Sequence, residues 1–139
     1  MSLESFALNW PLSHFSHTLI AWQQQSGRHN LPWQQTNPYL VWVSEIMLQQ
    51  TQVQTVIPFF NHFMTIFPDL SYLAKASEEE VLAHWSGLGY YSRARNIHKT
   101  AQYIYEHEYG VFPSNPAKLV NLPGIGPSTA AAIASQAFN

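Results

Sequence analysis

"NLPGIGPSTAAAIA", Asn121 to Ala134, reads as two helices joined by the short turn Leu122-Pro123-Gly124-Ile125-Gly126. The spacing predicts a turn too tight for side chains at Gly124 and Gly126, pinned by Leu122 and Ile125. Pro127-Ser128 then opens the second helix. Backbone N–H groups left free at such a helix start, with the helix dipole behind them, suit one anion, and a single phosphate of a nucleic-acid backbone fits. An ordinary glycine-rich helical hairpin would be written the same way. A grip of this kind reads no base and needs little net positive charge.

Outward from the hairpin, the periodicity stays helical almost throughout. Asn115-Pro116 opens the first helix of the pair, so the hairpin occupies about residues 115–138. Ser13 can cap a helix carrying Phe15, Leu19 and Trp22 on one face and ending near Gly27. Asn37-Pro38 is a cap and first turn for the next. Another spans Val53 to Phe67, bent or delayed by Pro58. Asp69 to Ala76 reads as a short helix. "SEEE", Ser77 to Glu80, is a capping box leading into "VLAHW" and stopped by Gly87 and Gly89. A longer helix follows from about Ser92 to Tyr109, with Gly110 as its stop. No stretch alternates with period two, so the fold class is all-α.

The 139 residues fit one domain, and 46% hydrophobic with only 10% charged residues excludes intrinsic disorder. The apolar residues are too dispersed for a transmembrane helix, and the start lacks a signal pattern, so a cytoplasmic protein without membrane contact is expected. There is no cysteine, hence no disulfide and no thiolate metal site in these residues. His14 and His17 stand at helical spacing, but nothing near them completes a ligand set. A net charge of −2 gives no global argument for nucleic acid. The charges are unevenly placed, however: Arg93, Arg95 and Lys99 cluster, as do Glu78, Glu79 and Glu80.

Two further segments carry chemistry. In "NPYLVWVSEIMLQQTQV", Asn37 to Val53, Glu45 is the only acidic residue between Ser5 and Pro68. At helical spacing it is surrounded by Val41, Trp42, Leu48 and Gln49. Such company disfavours the ionised form, so its pKa should rise toward that of a general acid. A Glu on an exposed helix face is the competing reading. Gln49, Gln50, Thr51 and Gln52 follow with uncharged hydrogen-bonding groups suited to base edges. In "GLGYYSRARNIHKTA", Gly87 to Ala101, the glycines permit a sharp turn presenting Tyr90 and Tyr91. Arg93 and Arg95 follow, an arrangement suited to stacking on a base and holding a phosphate. Core tyrosines and a solvated arginine face would fit that segment equally well.

Taken in order, "LPWQQTNPYLVWVSEIMLQQTQVQTVIPFF", "GLGYYSRARNIHKTA" and "LPGIGPSTAAAI" resemble the adenine DNA glycosylases of the MutY family, in the helix-hairpin-helix superfamily. The resemblance runs from about Trp22 to Ala137. It implies the helix-hairpin-helix DNA glycosylase fold, a six-helix-barrel part plus an N-terminal helix. It also implies removal of adenine mispaired with 8-oxoguanine or guanine in duplex DNA, by a monomer, in a bacterial cytoplasm at the nucleoid. Glu45 takes the place of the general acid that protonates the flipped adenine. Leu48, Gln50 and Thr51 match the minor-groove segment, and Tyr90 the tyrosine inserted beside the oxidised guanine. Leu122, Gly124, Gly126 and Ser128 match the phosphate-gripping hairpin, and Arg28 and Trp33 match positions near the base pocket.

Bifunctional relatives of the endonuclease III type carry a Lys where this chain has Ser128. A hydroxyl cannot form their Schiff base, so hydrolysis by water is expected rather than strand cleavage. Family members continue past the hairpin to an Asp that stabilises the cationic transition state, a cysteine set holding a 4Fe–4S cluster, and a C-terminal domain sensing 8-oxoguanine. None occurs before Asn139. Residues 1–139 therefore read as an incomplete, C-terminally truncated catalytic domain, inactive alone. A non-catalytic helix-hairpin-helix DNA-binding module and an endonuclease III-like glycosylase/lyase are the alternatives.

Overall fold

The computed structural model describes residues 37–138. The expected helix from Ser13 to Gly27 lies outside these residues, as do Arg28 and Trp33. Among the described residues there are seven helices and no strand. They are α1 (Pro38–Leu48), α2 (Val53–Ile66), α3 (Leu70–Lys75), α4 (Glu78–Trp85), α5 (Tyr91–His107), α6 (Pro116–Leu119) and α7 (Pro127–Ala137).

Local chemistry sets most of the starts. Asn37 Oδ1 accepts from the Tyr39 amide at 2.9 Å, with Pro38 in the first turn where its missing N–H costs nothing. Asp69 caps α3 through the amides of Ser71 and Tyr72, and Ser77 caps α4 through that of Glu80 at 3.1 Å. Asn115 caps α6 through Ala117. Pro58 does not delay α2, which already begins at Val53. It is exposed, so the carbonyl deprived of a partner by the missing N–H can turn to water.

Helix α1 is buried on nearly every side, at Tyr39, Val41, Trp42, Val43, Ser44, Ile46, Met47 and Leu48. It packs most extensively on α7, and also on α2 and α5. Trp42, fully buried, lies 5.1 Å from the Phe112 ring, and Trp85 meets Phe63 edge-on at 5.9 Å. Each such buried side chain contributes roughly 1.5–3 kcal/mol relative to exposure. The result is a rigid rod whose C-terminal end is fixed against two later segments, the turn before α5 and the turn before α7.

Candidate active site and nucleic-acid interface

Glu45 sits on α1 among buried neighbours but is itself only partly buried. It is therefore neither enclosed in the core nor on a freely solvated face. Gln136 of α7 approaches its carboxylate, with Nε2 donating to Oε2 at 3.4 Å. The carboxylate thus faces the helix that the glycine turn opens.

Past Glu45, α1 ends abruptly. Gln49 closes it, and Gln50 takes a left-handed conformation at φ +59°. That backbone region costs a non-glycine residue about 1–2 kcal/mol. Gln49 and Gln50 are exposed and Thr51 partly so, whereas Leu48 is only 3% exposed. Leu48 therefore belongs to the core and does not reach outward with its neighbours as the minor-groove expectation had it. Gln49 Nε2 donates to Thr129 Oγ1 at 3.3 Å, tying the end of α1 to the first turn of α7.

The turn between α4 and α5 presents its tyrosines. Gly87 and Gly89 adopt φ +98° and +83°, and Tyr90 itself is left-handed at φ +50°. Tyr90 is 59% exposed and Tyr91 40%, so neither is a core residue. The Tyr91 hydroxyl accepts from the Gly87 amide at 3.3 Å, which folds the turn back on itself.

Arg93 and Arg95 part company. Arg95 is exposed and pairs with Glu78 at 3.4 Å, an ion pair of the kind worth little in water. Arg93 is 8% exposed, and its guanidinium donates to the carbonyls of Ile46, Met47 and Gln49. Neither a phosphate contact nor a solvated face describes it. Burial pulls its pKa below the ordinary arginine value, partly offset by nearby Tyr90, yet the guanidinium keeps its charge. Lys99 is exposed.

The hairpin forms as expected, with one correction. Leu119, Leu122 and Ile125 are buried and anchor the turn, and Thr100 Oγ1 of α5 donates to the Pro123 carbonyl at 2.9 Å. Gly124 has φ +77°, and a Cβ there would stand 2.9 Å from Asn96 Cβ, so a side chain is excluded. Gly126 has φ −86°, and a Cβ there would meet nothing within 4 Å. The turn is thus not too tight for a side chain at Gly126, because among the described residues nothing lies within 4 Å of where its Cβ would be. Instead Gly126 stands in open space as the cap of α7, with no side chain accepting from the first turn. The orphan amides there are those of Gly126, Ser128 and Thr129, since Pro127 has none. Ser128 is exposed and Thr129 is buried.

Three segments distant in sequence therefore share one edge: Gln49–Thr51, Gly89–Tyr90 and the turn before α7. A recess of about 170 Å³ lies between them, bounded by Ile46, Gln49, Arg93, Asn96 and Gly124 among others. Sequence reasoning missed Gln136 and Thr129 as partners of Glu45 and Gln49. Nothing local to either residue points across the chain. It also missed the left-handed Gln50, because glutamine has no preference for that region.

The donor set for an iron–sulfur cluster is not found in these residues. None of the 139 is Cys, and among the described residues no group of three His, Asp or Glu could hold a metal. These residues do not fit the cluster. Among the described residues no helix is long and apolar enough to cross a membrane.

Residues 43–135 match the HhH-GPD superfamily of base excision DNA repair proteins, and the chain belongs to that superfamily. Within it, the chain is 51% identical over 126 residues to the adenine DNA glycosylase of Buchnera aphidicola subsp. Baizongia pistaciae, covering 90% of this chain and 36% of that protein. It is 47% identical to the adenine DNA glycosylase of Rattus norvegicus, over 90% of this chain and 26% of the relative. The Homo sapiens enzyme of that name is 45% identical, over 89% and 24%. The chain thus spans 36% of the length of the bacterial relative and about a quarter of that of the mammalian ones. Among solved structures, a thermostable thymine-DNA glycosylase superposes with a TM-score of 0.75 at 24% identity, over 91% of this chain and 57% of that one. A non-covalent endonuclease III–DNA complex gives 0.72 at 20%, over 94% and 61%. At these identities the superpositions speak for the fold alone.

Proposed function

We propose that these residues form the general-acid and duplex-gripping part of an adenine DNA glycosylase, one that removes adenine mispaired with 8-oxoguanine or guanine. The observation that carries the reading is the placement of Glu45. It is the one carboxylate on an otherwise buried helix, facing the helix opened by the hairpin and one turn before the exposed Gln49–Thr51 edge. The relatives' names support adenine as the base.

The chemistry follows from that placement. The reacting bond is inaccessible in stacked DNA, so the adenine is extruded from the duplex. Glu45 passes a proton to N7 of the extruded base, and the C1′–N9 bond breaks with its electron pair leaving on adenine. The sugar, now cationic in character, takes water at C1′, the released proton returns to the carboxylate, and an abasic site remains. Ser128 offers a hydroxyl where an amine would be needed for a covalent imine, so the product strand stays uncut. The amides of Ser128 and Thr129 hold one phosphate, and their grip carries no sequence preference. Tyr90 lies beside the mispaired guanine, with Gln50 and Thr51 along the minor groove.

Single-turnover release of adenine from an A:8-oxoguanine duplex, by the protein at the length of its relatives, tests this. Glu45→Gln lowers the rate by about 10²–10⁴-fold, the range of a lost general acid. An undiminished rate refutes the assignment.

A further inference from the structure

We propose that Arg93 is a positioning residue that sets the Gln50 turn and the Tyr90 turn against one another without touching DNA. The proposal rests on the reading of this edge as the duplex-binding one.

The guanidinium spans both turns. Nη1 donates to the carbonyls of Ile46, Met47 and Gln49 at 2.7, 2.9 and 2.6 Å, the last turn of α1. Nη1 carries two hydrogens for three acceptors, so the bonds are shared in the manner common at helix ends. Nη2 reaches the Gly89 carbonyl at 3.2 Å and Thr51 Oγ1 at 3.4 Å. The guanidinium carbon stands 5.3 Å from the centre of the Tyr90 ring and 5.4 Å from that of Trp85. Trp85 Nε1 in turn donates to the same Gly89 carbonyl at 3.0 Å.

Two consequences follow. The first is geometric. Gln50 and Tyr90 each hold a left-handed backbone that a non-glycine residue abandons unless its surroundings enforce it. Arg93 bonds the residues flanking Gln50, namely Gln49 and Thr51, and the carbonyl immediately before Tyr90. It is the one side chain bonded to both turns among the described residues. The second is electrostatic. The C-terminal carbonyls of α1 are the negative pole of that helix, directed at the edge where phosphates would approach. The salt bridges among the described residues, Arg95–Glu78 and Lys118–Glu108, do not involve Arg93, so its charge is met by those carbonyls. A lysine would keep the charge but could not span two turns with a planar fork.

The test is a double-mutant cycle read by affinity for a duplex carrying adenine opposite 8-oxoguanine, with the protein at the length of its relatives. Arg93→Lys weakens binding by about 10-fold in the parent, but by less than about twofold when Tyr90→Ala is already present. The slope of log affinity against log salt stays at the parent value in Arg93→Lys and Arg93→Met. Equal costs in both backgrounds would show a general structural role and overturn the proposal. A slope smaller by about one in Arg93→Met would mark a direct phosphate contact and overturn it as well. If Arg93→Met does not fold, Arg93→Lys still carries the cycle, and the slope is read at Arg93→Gln. A parent that binds no duplex at low salt would instead sink the functional reading, and this inference with it.

Discussion

Helices α3 and α4 begin on side chains that bond their own first turns, Asp69 and Ser77, whereas α5 and α7 begin on Tyr90 and Gly126 with no side-chain cap. The first pair satisfies the rules of local sequence in full. The second pair leaves amides open, and at Tyr90 it also holds a strained backbone in place through contacts from elsewhere. Orphan amides at a helix start are met by water or by a ligand, and a strained backbone persists only where its surroundings enforce it. In the proposed reading the second pair is the one that meets DNA.

The contrast between the two hairpin glycines sharpens this most. Gly124→Ala destabilises by about 1–3 kcal/mol, because a left-handed residue would also press on Asn96. Gly126→Ala leaves the thermal midpoint within about a degree or two of the parent yet weakens duplex binding, since its methyl group intrudes on the open space assigned to the phosphate in the proposed reading. Thermal unfolding of both variants checks the pair, and equal losses would remove the distinction. Gln50→Gly goes the other way. It relieves the left-handed strain and raises stability by up to about 1 kcal/mol, net of the added freedom of the unfolded chain, while duplex affinity falls. A variant less stable than the parent would show that Gln50 is not strained.

A helix that begins on a side-chain cap gives the complementary test. Asp69→Ala costs about 1 kcal/mol at neutral pH, the ordinary value of a helix cap. The Ser71 hydroxyl foremost holds the Asp69 carboxyl below its ordinary 3.8; burial opposes it, and the capped amides of Tyr72 and Ser71 and the charge of Lys75 add to the lowering. A folded-state pKa below the unfolded one gives stability that is complete above the unfolded value and is lost as pH falls through the folded one. The difference between Asp69→Ala and the parent therefore shrinks below about pH 4, as followed by urea unfolding across that range. A gap that widened on acidification would contradict the capping role.

How much could be read from the sequence follows the same division. The helix starts at Asn37, Ser77 and Asn115 were legible because each residue bonds an amide two or three positions away. Glu45 was legible as an anomaly of composition. Arg93 was not, since its partners Ile46 and Gln49 stand 47 and 44 positions upstream, and nothing around Arg93 distinguishes it from Arg95. The two glycines read alike for the same reason. Whether a side chain fits depends on Asn96, which faces Gly124 and not Gly126.

The central claim is that the edge joining Gln49–Thr51, Gly89–Tyr91 and Gly124–Thr129 is where duplex DNA lies. Amide hydrogen exchange with and without a mispaired duplex, followed residue by residue, tests it most directly. Slowed exchange across those three segments, with Asp69–Glu80 unchanged, is the result this account requires. Protection centred on Asp69–Glu80 with the three segments unaffected would contradict it.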